Sequence, residues 1–165
     1  MRLRLHDALV TPSYYARHDL SVAWEEHPLL SHRTVKEVQT SATVEIRNTA
    51  DVVTCRFFGT VEYTTECDRC LREVRSSFSF DYTKDAVKRS DAEDFEGILL
   101  GPDESFDAEE ELITAIILAF PAKHLCKEDC KGLCPVCGCD LNERQCGCDT
   151  KSWDPRLEAL RNLKI

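Results

Sequence analysis

Residues 126–148 read "CKEDCKGLCPVCGCDLNERQCGC" and place seven cysteines in twenty-three positions. A chain of 165 residues can bury a core without covalent staples. The opening "MRLRLHDALV" alternates charge with leucine and has no continuous apolar centre, so it does not read as a secretory signal. The expected setting is therefore a reducing cytoplasm, where clustered thiols read as metal ligands or redox groups rather than disulfides.

Zinc takes four soft donors at tetrahedral corners. Two cysteines separated by two residues supply two corners from one tight turn. "CPVCG" has the right accessories, since Pro135 stiffens the turn and Gly138 permits positive φ just after the second thiol. Cys134 and Cys137 are thus the strongest ligand pair. Cys146 and Cys148 follow the eight residues "GCDLNERQ", whose Asp140 and Asn142 favour a reversal. These four are expected to form one compact site. A one-residue interval is a strained chelate, and Cys139 competes for a corner: it could replace Cys146 or Cys148, or stand as a spare thiol.

A second pair lies upstream. "ECDRCL" puts Cys67 and Cys70 at the turn between two expected strands, and Cys126 with Cys130, four apart, are the donors left over. Together they make a second site, with His124 as the substitute ligand. The expectation is two zinc ions per chain. Cys55, within an alternating strand pattern, reads as a small buried hydrophobe.

The rest of the chain reads as α+β. From Thr34 to Tyr82, "SATVEIRN", "VVTCRFFGTVEYTTE" and "EVRSSFSFDYT" alternate as strands do. An antiparallel meander of about three or four strands is expected, with Val74, Phe78, Phe80 and Tyr82 on one face and a bulge or bend at Gly59. "MRLRLHDALV" reads as a half-buried strand, and residues 11–33 have no clear period. "FDAEEELITAIILAFP" is a helix near 108–120, capped by Asp107 with Glu110 as its reciprocal acid, stopped by Pro121, and carrying Leu112, Ile113, Ile116, Ile117 and Phe120 as an apolar stripe. "WDPRLEALRNL" gives a short terminal helix capped by Asp154. The expected division is an α+β domain over 1–120 and a zinc-binding segment with the terminal helix over 121–165.

Charge narrows the function classes. The net charge of −9 resides in residues 91–111, which hold ten acids and no Lys or Arg and read as a solvated loop. The greasiest run, "AIILAF", is far shorter than the roughly 20 residues a bilayer needs. Residues 121–165 hold eight Lys and Arg against seven acids, so no strong basic footprint is present. No phosphate-binding glycine loop, serine nucleophile elbow or His-Glu metalloprotease motif occurs, and no small-molecule substrate is expected. "CDRC" and "CPVC" match redox spacing, but neither opens a long helix after a strand.

The order "CDRCLREV", a helix ending "LAFP", "CKEDCKGLCPVCGCDLNERQCGC", then "DPRLEALRNL" resembles the bacterial YceD family over about residues 55–165. The resemblance implies a cytoplasmic protein that supports accumulation of large-subunit ribosomal RNA, by binding the RNA or a pre-ribosomal particle; closed four-thiolate sites, with no corner left for water, add the expectation that it is not an enzyme. The family's cysteine pairs match Cys67 with Cys70 and Cys134 with Cys137. Cys126, Cys130, Cys146 and Cys148 fall in matching places, and Cys139 departs from the pattern. Arg72, Lys131, Arg144 and Arg156, close in sequence to the thiols, are the expected partner contacts; neutralising sulfur charge is the other use of such cations. The competing readings are a zinc-dependent protein–protein adaptor or regulator, and a thiol oxidoreductase.

Overall fold

The structure is a computed structural model that describes residues 1–22, 24, 35–88 and 97–149. Two compact units emerge, Met1–Thr65 with Arg75–Ala122, and Glu66–Val74 with Lys123–Ile165.

Three long alternating runs make the centre of the first unit: β3 (Lys36–Thr49), β4 (Val52–Glu66) and β5 (Glu73–Lys88). Their period of two puts one face inside. Val44 and Ile46 of β3, Val53, Cys55, Phe57 and Val61 of β4, and Phe80 and Ala86 of β5 are all buried. On β5, Val74, Phe78, Phe80 and Tyr82 are each less exposed than their odd-numbered neighbours, so they share one face. Gly59 is not a bulge, because it stays in register opposite Ala42. It is a close approach: a Cβ there would collide with the Ser41 carbonyl oxygen and lie 2.9 Å from the Ala42 Cα. The register slips instead between Lys36 and Gln39.

The sheet is wider than a simple meander. Its order is β2-β3-β4-β5-β6, with β2 (Tyr15–Leu20) antiparallel to β3 and β6 (Ile98–Leu100) parallel to β5. The strand expected over "MRLRLHDALV" is only β1 (Arg2–Arg4), paired with β7 (Ser105–Asp107); helix α1 (His6–Val10) follows at once. The reason is a change of period, since buried Leu5 and Ala8 are spaced as on a helix face.

Helix α2 (Ala108–Ala119) begins as expected, with the Asp107 side chain accepting from the Glu109 amide at 3.0 Å. Leu112, Ala115 and Ile116 are buried, while Ile117 is 45 % exposed. Ala115 therefore takes the place expected of Ile117, which lies a step round the helix. Past the helix end, Phe120 packs on the sheet, 5.1 Å from the Tyr63 ring and 5.5 Å from that of Phe78. Phe57 meets Phe106 edge to face at 6.4 Å.

The acidic block is not simply a solvated loop. Its described part supplies β6, β7 and the first turn of α2, with Glu104 paired to His6 at 2.6 Å and to Lys88 at 2.7 Å, and Glu111 to Lys84 at 3.0 Å. Among the described residues no helix is long and apolar enough to cross a membrane. The terminal helix expected from Asp154 lies outside the described residues, as does the stretch 25–34.

Replacing Phe57 with alanine empties the centre of this core. It should cost about 3–5 kcal/mol, whereas Leu118→Ala, at a residue 68 % exposed, should stay within about 0.5 kcal/mol. Urea unfolding followed by aromatic fluorescence measures both.

Candidate metal centres

The second unit contains two turns of the same build. In the first, the Leu71 amide donates to the Cys67 carbonyl at 2.9 Å, and Leu71 takes a φ of 60°. In the second, the Gly138 amide donates to the Cys134 carbonyl at 2.8 Å with a φ of 70°. A left-handed residue after each C-x-x-C pair turns the chain away while both thiols point to one centre. Glycine adopts that conformation freely, whereas a residue with a Cβ such as Leu71 carries a cost of roughly 1–2 kcal/mol.

Nine of the ten cysteines lie in this unit. The thiols of Cys67, Cys70, Cys126 and Cys130 all lie within 4.8 Å of one another, and so do those of Cys134, Cys137, Cys146 and Cys148. In the first group, Cys67 and Cys130 are 3.9 Å apart and Cys70 and Cys126 3.6 Å. A disulfide would need about 2.05 Å. Four sulfurs about 2.3 Å from a common ion would instead be separated by about 3.8 Å along each tetrahedral edge. The observed spacings match the second geometry.

The electrostatics ask for a cation as well. Burial pushes the Cys67 thiol up, but the amides of Arg69, Cys126 and Cys70 outweigh it and bring it down to about 6. Burial and the neighbouring thiols drive Cys126 up to about 12. In the second group the Cys139 amide and nearby thiols lower Cys137 to about 6, while contact with Cys137 lifts Cys148 to about 12. Cys130 and Cys146 are also brought down, so two thiols ionise readily in each group and then oppose their neighbours. A divalent ion at the centre removes that repulsion and lets all four ionise. Cys55, buried in the sheet of the first unit, is pushed up to about 12 chiefly by burial and behaves as a core residue.

The first group is the more enclosed, with Cys67, Cys70 and Cys130 buried beside Val74, Leu125 and Leu133. His124 stands outside it; its backbone clasps the turn instead, the amide donating to Asp68 Oδ2 at 2.7 Å and the carbonyl accepting from the Asp68 amide at 2.8 Å. The Arg69 carbonyl accepts from the Leu133 amide at 3.0 Å, and Arg69 Nη1 donates to the Cys130 carbonyl at 2.7 Å. Gly132, with a φ of 75°, is required between them, because a Cβ there would lie 2.9 Å from the Arg69 carbonyl oxygen.

Asp140 and Asn142 make the reversal before Cys146. Asp140 Oδ1 accepts from the Asn142 amide at 2.8 Å, as in an Asx turn. The Asn142 side chain then donates to Cys130 Sγ at 3.4 Å and accepts from the Lys131 amide at 2.9 Å. Arg72, expected at a partner surface, donates to Asp140 Oδ2 and Glu143 Oε1, both at 2.6 Å. It braces the unit from within. Lys131 and Arg144 are exposed, while Arg156 lies outside the described residues. Cys139 is in neither group of four. The outward apolar tips of the two turns, Leu71 at 60 % and Val136 at 62 % exposure, went unnoticed at the sequence level because each reads as an ordinary strand or turn residue.

Asn142→Ala removes a bond to sulfur and one to the Lys131 amide. Metal retention at the first group should weaken by about 10–100-fold, measured by competition with a chromophoric chelator, while the second group keeps its ion.

Comparisons with known proteins agree with this part of the chain. The family model described as "Large ribosomal RNA subunit accumulation protein YceD" matches residues 58–164. Uncharacterized proteins of Mycobacterium tuberculosis and Mycobacterium bovis are 38 % identical over 110 residues, 62 % of this chain and 52 % of theirs. One of Mycobacterium leprae is 35 % identical over 91 residues, 50 % of this chain and 41 % of its own. The chain spans about half the length of the curated relatives it matches. No solved structure matches. With the family pattern running through both cysteine turns, the chain belongs to the YceD family.

Proposed function

We propose that this protein is a non-enzymatic, zinc-stabilised cytoplasmic factor that supports accumulation of large-subunit ribosomal RNA by binding the RNA or a pre-ribosomal particle. The observation that carries the reading is the pair of four-thiol groups in a chain whose family model names that process. Zinc is the ion of choice because soft thiolates at a tetrahedral spacing suit it, and it needs no redox partner. Four protein ligands fill every corner, so such a site holds shape and leaves no position for water or substrate. Structural zinc supplies roughly 10–16 kcal/mol of apparent binding energy in small peptides. That is ample to order a unit whose described part from Lys123 on contains no helix and no strand beyond a single bridge between Leu133 and Asp140.

Arg72, which is 48 % exposed beside its ion pairs, and Lys131, Arg144 and Arg156 are the proposed contacts to the particle. The exposed tips Leu71 and Val136 favour a second reading, in which the same unit docks on a ribosomal protein or serves as a protein–protein adaptor. Salt dependence separates the two. If RNA is touched directly, reversing Lys131, Arg144 and Arg156 to Glu should flatten the log-affinity against log-salt slope by about 2, at about 0.7 for each phosphate no longer neutralised. If a protein surface is the partner, Leu71→Asp and Val136→Asp should abolish binding and the slope should hardly move.

Metal content tests the foundation. Protein purified under reducing conditions should carry two zinc ions per chain, with Cys67→Ser losing one and Cys134→Ser the other. It should also sediment with large-subunit precursors. An adaptor outside ribosome biology would not, and a thiol oxidoreductase would show fast alkylation of its cysteines with zinc bound.

A further inference from the structure

Strand β2 stands at the end of the five-stranded sheet, and among the described residues β3 is its one strand partner. The amides and carbonyls on its other side form an open edge. Arg17, His18 and Asp19 are exposed in succession, although their side chains point alternately to the two faces. Neither face of the strand is covered at this point.

Two charges mark the edge. Arg17 and Asp19 share the outer face, opposite Glu45 and Thr43 of β3. Charges further into the sheet are satisfied within the chain, Glu45 by Arg47 and Asp81 by Arg56. Among the described residues Arg17 and Asp19 take part in no ion pair. Arg17 lies over the Phe58 ring at 5.4 Å, and Asp19 Oδ1 accepts from Thr43 Oγ1 at 3.1 Å. An exposed cation–π contact is weak, so Arg17 can swing outward to a carboxylate at the edge.

Charged edges normally resist pairing, but this one is complementary to itself. When two copies of a strand pair antiparallel about a two-fold axis, residues that face each other lie on the same side of the pleat. With His18 on the axis, each Arg17 meets Asp19 of the other copy, and each Ala16 meets Leu20. Moving the axis to residue 17 or 19 sets Arg17 against Arg17, or Asp19 against Asp19, and like charges directly opposite destabilise a ladder. The charge pattern therefore selects a single register.

We infer that β2 is a homodimer interface, where two copies of the chain pair edge to edge, antiparallel and centred on His18, joining their five-stranded sheets into one. The inference concerns the first unit alone and stands whether or not the thiol groups hold metal.

Sedimentation velocity of the full chain over a concentration series, at low salt and under reducing conditions, gives the test. Wild type should dimerise. Arg17→Asp and Asp19→Arg each set like charges opposite one another and should weaken the dimer by about 10–100-fold. A mixture of the two single variants should associate again, since every opposed pair is then of opposite charge. The double variant Arg17→Asp/Asp19→Arg should dimerise as wild type does, which also shows that neither substitution prevents folding. Far-UV circular dichroism checks the single variants separately. A monomeric wild type would overturn the inference. So would a dimer that neither single variant weakens, or natively folded single variants that fail to associate when mixed.

Discussion

The cysteine-rich unit depends on one local constraint: a two-residue interval between thiols, closed by a residue at positive φ. At Cys67–Leu71 and Cys134–Gly138 this turn does in backbone what an ion alone could not do, since it aligns two sulfurs before any ligand arrives. Amides inside the turns then donate to sulfur, which is why Cys67 and Cys137 are the thiols brought down to about 6. The remaining donors come from chain that has little to hold it otherwise. Cys126 and Cys130 lie 56 and 63 residues from the thiols they meet, a closure that needs strong local attraction to offset its entropy.

The two groups are alike in ligand chemistry and unlike in surroundings. Around the first, Val74, Leu125 and Leu133 exclude water, and the Arg69 and Asn142 side chains bond to Cys130. Around the second, Cys137 is exposed and Cys139, Cys146 and Cys148 are half-buried. Low dielectric and fixed neighbours make a site rigid. The second group has no such apolar shell among the described residues, so the two groups differ in burial while sharing their ligand type.

Much of this was legible in the sequence, and the reasons are physical. β3, β4 and β5 are long and strongly alternating, so a period of two survives inspection. Helix α2 announces itself by Asp107 and by apolar residues at helical spacing. The two C-x-x-C pairs followed from interval, Cys126 and Cys130 joined Cys67 and Cys70 only as the donors left over, and Cys139 stayed a competitor at the second group. What escaped is short or non-local. β6 and β7 are three residues each, too brief to show a period, and the parallel pairing of β6 with β5 is set by partners rather than by its own residues. β2 hides because Tyr15–Leu20 presents Arg17, His18 and Asp19, all exposed, in succession. The positive φ of Leu71 could not be read from a leucine. Arg72 looked like a free cation near sulfur because its two carboxylates are 68 and 71 residues away.

That last point changes how the charge near the thiols is understood. A closed four-thiolate zinc site would carry about two negative charges, so some nearby cations are needed at home. Arg69 and Arg72 are engaged inside the unit with oxygen rather than sulfur: one holds the Cys130 carbonyl, the other ties the turn at Cys70 to Asp140 and Glu143. Arg72 nonetheless keeps 48 % of its side chain exposed, so its ion pairs leave the expected partner contact untouched. The exposed cations left for a partner among the described residues of this unit, Lys123, Lys131 and Arg144, are few and interspersed with acids. A surface of that kind gains little from non-specific attraction to nucleic acid. Under the protein-docking reading proposed above, the exposed tips Leu71 and Val136 would supply the contact that so few cations do not.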